Sequence, residues 1–286
     1  MLDYLAIGHI AQDVTPDGLR LGGTAAYAAL TAHALSLRTG IVTAAAPDAV
    51  MDGLADLMIC RVPSPRSTIF ENRYTSAGRT QTIHSQAESL TPAAVPAEWR
   101  DASIIHLAPI AREVDPALAS LFPNSFVGLT PQGWMRRWDG NGRVTRGEWD
   151  EAESLLPSAS ATVISIEDVG GDWNIVERWA ARTKVFVATQ GDQGATVFWD
   201  GDRRHFSAPN VRVVDPTGAG DIFAAAFFVR LWQTRDAWDA APFAIALASE
   251  SVTRAGVMAK TKVRSRSSVI SSQSSVTRMI KYASDY

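Results

Sequence analysis

The chain has 286 residues, 46% of them hydrophobic and 20% charged, with a net charge of −3. That balance suits one large α/β domain or two modest ones and excludes a wholly disordered chain. The single cysteine, Cys60, excludes an intrachain disulfide and a cysteine-built zinc site, and His9, His33, His84, His106 and His205 show no metal-ligand spacing.

The N-terminal run from Met1 to Gly8 has an early acid and no basic flank, so it does not read as a secretory signal. The apolar run Ile222 to Val229 stops at Arg230, too short to span a bilayer. A cytoplasmic location is the expectation. Asp3–Gly8 reads as a strand, and Gly22-Gly23 then opens an alanine-rich helix from Thr24 to Leu37. Gly40–Ala44 is the next strand and Pro47–Met58 a helix. Further strands are expected at Ala102–Leu107, Ser125–Thr130, Ala161–Ile166, Lys184–Thr189 and Ala195–Trp199. Helices are expected at Glu113–Leu121, Glu148–Leu155, Asp172–Ala181, Gly218–Trp232 and Ala237–Val252. Strand–helix alternation of this kind predicts an α/β fold with a mostly parallel sheet covered by helices on both faces.

Two segments depart from that rhythm. Ser67–Tyr74 and Arg79–Ala87, joined by a turn at Ser76-Ala77-Gly78, read as an antiparallel hairpin with one wetter face, a small β lid over about residues 66–88. From Lys260 onward, six bases (Lys260, Lys262, Arg264, Arg266, Arg278, Lys281) face one acid, Asp285, in a Ser-rich setting. The reading is one domain over residues 1–259 and a solvated basic tail over 260–286. The acidic body argues against nucleic-acid binding.

The stretch that carries chemistry is Asp215-Pro216-Thr217-Gly218-Ala219-Gly220-Asp221, followed by an apolar run of helical length. Gly218, Ala219 and Gly220 leave their backbone N–H groups open to a ligand at a helix start, where the helix dipole adds to the pull on an anion. Asp221 sets a carboxylate beside that cradle, able to take a proton from an attacking hydroxyl. An anion hole with an adjacent base is the minimum equipment for phosphoryl transfer to an alcohol. A Rossmann fingerprint fails because the sixth position from Gly218 is Phe223, and a P-loop fails because no Gly-Lys pair occurs.

Asp215–Asp221 resembles the C-terminal signature of the ribokinase-like (PfkB) carbohydrate kinases. Gly8, Asp13 and Gly22-Gly23-Thr24-Ala25-Ala26 are similar to that family's N-terminal substrate region, and Thr189-Gln190-Gly191-Asp192-Gln193-Gly194-Ala195 to its nucleotide loop. The resemblance implies a ribokinase-like three-layer sandwich with ATP as donor, Mg²⁺ as bridging ion and a sugar or polyol as acceptor. It makes Asp221 the base, the backbone of Gly218, Ala219 and Gly220 the anion hole, and Thr189, Gly191, Gly194 and Thr217 ATP contacts. Asp13, Gly22, Gly23 and Tyr27 fall on the substrate side.

Tyr27 stands where the family usually has Asn. Ser165-Ile166-Glu167-Asp168 stands for its Asn-x-x-Glu motif, with Glu167 and Asp168 acting on Mg²⁺ indirectly through the phosphate network. Both changes resemble the myo-inositol kinase branch. The family normally continues past Gly256 with residues that help hold the adenine and, in many members, a monovalent cation such as K⁺ near the anion hole. No such match is found from Lys260 on. A non-catalytic sugar- or nucleotide-binding regulator retaining the fold is the alternative, against which the Asp221 carboxylate argues. The cluster Trp134-Met135-Arg136-Arg137-Trp138 is read first as core, with a cleft border or a subunit contact as alternatives, and Arg66, Arg73 and Arg79 as solvent-facing lid charges or ligands of a phosphorylated acceptor. An exposed lid sheet also suits pairing in a homodimer.

Overall fold

The structure, a computed structural model, describes residues 1–75 and 78–262, with the side chains of residues 74–79 left aside. Strands follow in chain order as β1 (Tyr4–Ile7), β2 (Ala11–Thr15), β3 (Gly18–Gly22), β4 (Thr39–Ala45), β5 (Met58–Pro63), β6 (Thr68–Thr75), β7 (Gly78–Ser85), β8 (Ile104–Leu107), β9 (Phe126–Leu129), β10 (Arg136–Trp138), β11 (Val144–Arg146), β12 (Ala161–Ser165), β13 (Val185–Thr189), β14 (Ala195–Trp199) and β15 (Asp202–Phe206). The α-helices are α1 (Thr24–Ala34), α2 (Ala152–Leu155), α3 (Trp173–Ala180), α4 (Ala219–Thr234), α5 (Ala237–Ser251) and α6 (Val257–Lys260).

Nine strands form one sheet in the order β15-β14-β13-β12-β9-β8-β1-β4-β5. All its pairs are parallel except β13–β14 and β14–β15. Successive side chains on a strand face opposite ways, so each central strand feeds two cores. Tyr4, Ala6, Val163, Val185 and Val187 join α1, α4 and α5 on one face. Leu5, Ile7, Ile164, Phe186 and Ala188 join α2, α3 and the turn around Leu118 on the other.

Helix α4 starts at the cleft and is apolar over most of its length. Ile222 to Val229 are all buried, and Asp221 belongs to its exposed first turn. Burying Phe227 and Phe228 fully stabilises by roughly 1.5–3 kcal/mol each. Gly128 in β9 admits the Phe228 ring, since a Cβ there would come within 2.6 Å of it. The middle of α4 is thereby seated against the sheet.

The expected hairpin is present as β6–β7, although its turn at residues 76–77 lies outside the described residues. It belongs to a four-stranded lid sheet, β3-β2-β6-β7, in which β2 pairs parallel to β6. Phe70, Ile83 and Ala11 seat that lid on Ile110 and Ala111.

Three expectations fail locally. Pro47–Met58 forms turns rather than a helix, with Gly53 at φ +85° and Leu54 and Leu57 plugged into the core. The segment from Glu113 is a β-bridge at Val114 followed by a 3-10 turn over Pro116–Leu121, capped by the Asp115 carboxylate accepting from the Ala117 N–H. Helix α2 is a single turn inside the expected Glu148–Leu155. The charged strand β15 (Asp202–Phe206) lies at the sheet edge, where charge blocks further pairing.

Candidate active site

A single cleft of about 930 Å³ runs along the C-terminal ends of the parallel strands, where open α/β sheets bind ligands. Its floor is assembled by chain ends that leave neighbouring strands. Ile110 follows β8, Gln132 follows β9, Ser165 and Asp168 end β12, and Thr189 and Gly191 end β13. Thr217, Gly218, Ala219, Gly220 and Asp221 close one side at the start of α4. Asp13, Asn72 and Gln81 from the lid sheet close the other, with Gly23, Thr24 and Tyr27 from the start of α1.

The anion-hole loop is built by its own side chains. Asp215 accepts from the Thr217 N–H at 2.9 Å, and Gly218 adopts φ +77°, turning the chain into α4. A Cβ on Gly218 would run into the Tyr27 ring, so glycine is required there by protein packing as well as by backbone angle. Gly220 differs: nothing lies within 4 Å of where its Cβ would be. The space beside Gly220 is cleft, the room a bound anion needs. The Ala219 N–H already makes a long contact, 3.3 Å, to the Pro216 carbonyl. The α4 first-turn amides otherwise leave the donors that helix starts offer to anions.

Tyr27 is 95% buried, and its ring packs on Gly218. It therefore shapes the loop at Gly218 as well as lining the cleft. Asp13 sits within strand β2, opposite Arg20 and beside Phe70, not in the turn its neighbours suggest. Gly22 does not line the cleft; a Cβ on it would strike the Asp13 carboxylate, so it acts by giving Asp13 its place. Gly23 lines the cleft at φ +90°, and a Cβ on it would come within 2.7 Å of the His9 carbonyl. Gly194 is also outside the cleft lining. It turns β13 into β14 at φ +103°, and Gln190 N–H donates to its carbonyl at 2.7 Å.

Ser165 and Asp168 form a reciprocal cap on the turn Ile166–Val169. The Ser165 hydroxyl accepts from the Glu167 N–H at 3.2 Å, and Asp168 accepts from the Ser165 N–H at 2.9 Å. The other Asp168 oxygen accepts from the Gln132 amide at 3.0 Å. Both Asp168 oxygens thus serve the protein, while Glu167 stands exposed on the cleft wall. Among the described residues no group of three or more His, Cys, Asp or Glu side chains is arranged to hold a metal ion.

Sequence reasoning gave no individual role to four groups, although Arg136 lay in a cluster read as core or cleft border. Arg136 lines the cleft, donating to the Ile110 carbonyl and the Gln132 amide oxygen, both at 2.7 Å, with its guanidinium 5.2 Å from the Phe70 ring centroid. Glu113 is fully buried and accepts from the backbone N–H groups of His9, Ile110 and Ala111. It ties the chain leaving β1 to the chain leaving β8. His106 is also buried, bonded to Tyr4 Oη at 2.7 Å and Thr130 Oγ1 at 2.9 Å, and burial pushes its pKa down to about 3. Burial, and secondarily the Asp221 carboxylate, raise the Tyr4 pKa well above the ordinary phenol value.

The fourth is Lys260. It was read as the start of a solvated tail, yet its side chain is fully buried behind the anion-hole loop. Its ammonium donates to the carbonyls of Asp215 and Thr217 at 2.5 and 2.7 Å, and lies 3.1 Å from an Asp215 carboxylate oxygen. Residues 263–286 lie outside the described residues. Trp134 and Met135 are core, with Trp134 stacked on Trp149 at 5.7 Å. Arg73 is an exposed partner of Glu71, Arg66 is exposed, and the Arg79 side chain is outside the described residues. No described helix is long and apolar enough to cross a membrane.

Residues 172–264 match the pfkB family carbohydrate kinase model. A cytidine kinase of Thermococcus kodakarensis is 27% identical over 250 residues, covering 79% of this chain and 87% of that one. An inositol 3-kinase of Zea mays is 31% identical over 129 residues, covering 44% of this chain and 33% of that one. Among solved structures, a pyrophosphate-dependent kinase in the ribokinase family superposes with a TM-score of 0.78 at 23% identity, covering 88% of this chain and 96% of that one. A ribokinase of Arabidopsis thaliana, complexed with ribose and ATP, gives 0.65 at 18% identity, covering 92% and 99%. The matched segment includes the loop Asp215–Asp221 and α4, so this third of the chain is similar to the pfkB family carbohydrate kinases, and the sheet is that of the ribokinase fold.

Proposed function

We propose that the protein transfers the terminal phosphoryl group of ATP to a hydroxyl of a small carbohydrate or polyol, with Asp221 as base. One observation carries this reading. The carboxylates of Asp13 and Asp221 and the anion-hole loop line the same cleft, with open space at Gly220.

The chemistry follows from the placement. Donor phosphates dock against the amides at the start of α4, where the helix dipole favours negative charge. Asp13, with the polar ends of Asn72, Gln81 and Arg136, offers acceptors and donors suited to several hydroxyls. The attacking hydroxyl oxygen forms its bond to phosphorus as the bond to the leaving phosphate breaks, and its proton passes to Asp221. A carboxylate is too weak to ionise an alcohol beforehand, so Asp221 orients the hydroxyl and takes the proton late. Charge spreading over the transferring group meets the amides of Gly218 and Gly220. Bound Mg²⁺ would supply charge neutralisation on the phosphates; Glu167, exposed on the cleft wall, would act on it indirectly through them, and Asp168 would do so by holding the turn that carries Glu167. The Thr189 and Gly191 ends of β13 border the donor side.

The lid sheet, seated by Phe70 and Ile83, excludes water once an acceptor is held. Val14 and Leu19 stand exposed on it, which suits a lid-mediated homodimer in the cytoplasm. Light scattering tests that assembly.

A coupled assay over sugars, polyols and nucleosides, run with ATP and separately with pyrophosphate, tests the function. Turnover with ATP and one hydroxylated acceptor is the expected result. Absence of turnover with every acceptor and either donor rejects the reading.

A further inference from the structure

The resemblance implies a monovalent cation beside the anion hole, and the residues present do not fit one. The oxygen atoms that converge behind the loop are the carbonyls of Asp215 and Thr217 and one carboxylate oxygen of Asp215. All three already surround the Lys260 ammonium, at 2.5, 2.7 and 3.1 Å. An ammonium has three N–H donors and no acceptor, so this set satisfies it completely. Its side chain has no solvent exposure, which leaves no room for a second cation at the same oxygens.

We propose that Lys260 is a tethered cation that positions the anion hole and frees the enzyme from a monovalent activator. The inference rests on the kinase reading of the same site. In a trans peptide the carbonyl of one residue and the N–H of the next point in opposite directions. Holding the Thr217 carbonyl from behind therefore aims the Gly218 N–H the other way, and the positive charge polarises that peptide as a donor. The Asp215 carboxylate is fixed by the same ammonium while it accepts from the Thr217 N–H.

The surrounding structure is arranged to deliver the lysine. Val214 and Asp215 N–H groups donate to the Val252 carbonyl, hanging the loop from the end of α5. Gly256, at φ +79°, turns the chain back into α6. Arg254, paired with Glu250 at 2.8 Å, donates to the carbonyls of Ala259 and Lys262 at 2.8 and 2.9 Å and clamps the segment on both sides of Lys260. Val257 and Thr261 are buried beside it. A cation carried on the chain costs no translational entropy to bind, whereas a free ion does.

The test begins with the native protein, dialysed free of K⁺. Its turnover and the thermal upshift given by a nonhydrolysable ATP analogue should be the same in potassium and in choline chloride. A drop of about tenfold or more in choline overturns the proposal. Lys260→Met, of similar volume and no charge, should lose on the order of 10- to 100-fold in kcat. Potassium or ammonium should recover part of that loss, and potassium should restore the analogue-induced thermal shift. Wild-type kcat in Lys260→Met with no response to either cation also overturns it. Should that variant fail to fold, Lys260→Cys in a Cys60→Ser background, treated with bromoethylamine, rebuilds an ammonium at the same place. Activity must then depend on that treatment, and its failure to do so counts against the assignment. The thermal-shift arm needs no acceptor, so failure of the kinase reading and failure of the tethered cation give different results.

Discussion

The ring of Tyr27 occupies the place that any side chain at residue 218 would have to take, so α1 and α4 meet through an aromatic face laid on a glycine. That contact joins the wall of the cleft formed by α1 to the loop at the start of α4. Gly218→Ala faces both this ring and a left-handed backbone that costs an ordinary residue about 1–2 kcal/mol. The variant should lose thermal stability and most of its turnover. Adding Tyr27→Ala should recover only part of the stability, because the backbone angle remains; a melting series on both variants checks this.

Gly220→Ala makes the opposite prediction. No protein atom opposes a methyl group there, and alanine within a helix is favoured over glycine by roughly 0.5–1 kcal/mol. The variant should melt at or above the wild-type temperature while the KM for the phosphoryl donor rises by on the order of tenfold. Steady-state kinetics with a parallel melting curve separate the two effects. An unchanged donor KM would remove the anion from this position.

Asp221→Asn keeps the shape and removes the base. General-base contributions are typically 10²- to 10⁴-fold, and kcat should fall within that range with donor affinity retained. Isothermal titration with a nonhydrolysable donor supplies the affinity arm.

His106 sets an acid limit on stability. Its pKa is pushed from 6.5 to about 3 by burial, so between those values the unfolded chain binds a proton that the folded chain does not. The neutral imidazole contributes its full stability above pH 6.5 and loses it as pH falls toward 3, by about tenfold in the folding constant per pH unit. Urea unfolding from pH 7 to 4 should show that dependence, and His106→Gln should show it reduced by one proton.

Glu113→Gln replaces one acceptor oxygen by an amide that faces N–H donors. Loss of a buried acceptor costs about 1–3 kcal/mol, and equilibrium unfolding should show that deficit. The same variant should raise the acceptor KM, because Ile110 borders the cleft.

Much of the fold could be read before the structure because periodicity is strong where burial is strong. The apolar run after Asp221 and the runs around Val163 and Val187 carry the pattern that the sheet and α4 need. Several strands escaped: β2 and β3, joined across Pro16-Asp17, alternate too weakly, β15 is nearly all charge, β10 and β11 are three residues each, and β5 lies directly after the segment read as a helix. Pro47–Met58 has helical spacing of apolar residues, but Pro47, Asp48, Asp52 and Gly53 favour turns, and those won. The anion-hole loop was legible because its glycines and acid are contiguous. Glu113 and Lys260 were not, since they take partners 104 and 43 positions away, and Arg136 was legible only as a member of a cluster at the core or the cleft border.

Asp13, Asn72 and Gln81 all ride on one four-stranded sheet, whereas Asp221 and its amides ride on a helix welded to the main core. On the proposed reading, the side chains offered to the acceptor and the amides offered to the phosphates therefore stand on separate elements, so substitutions at Asn72 and Gln81 should change which acceptor is taken while the donor KM stays where it was.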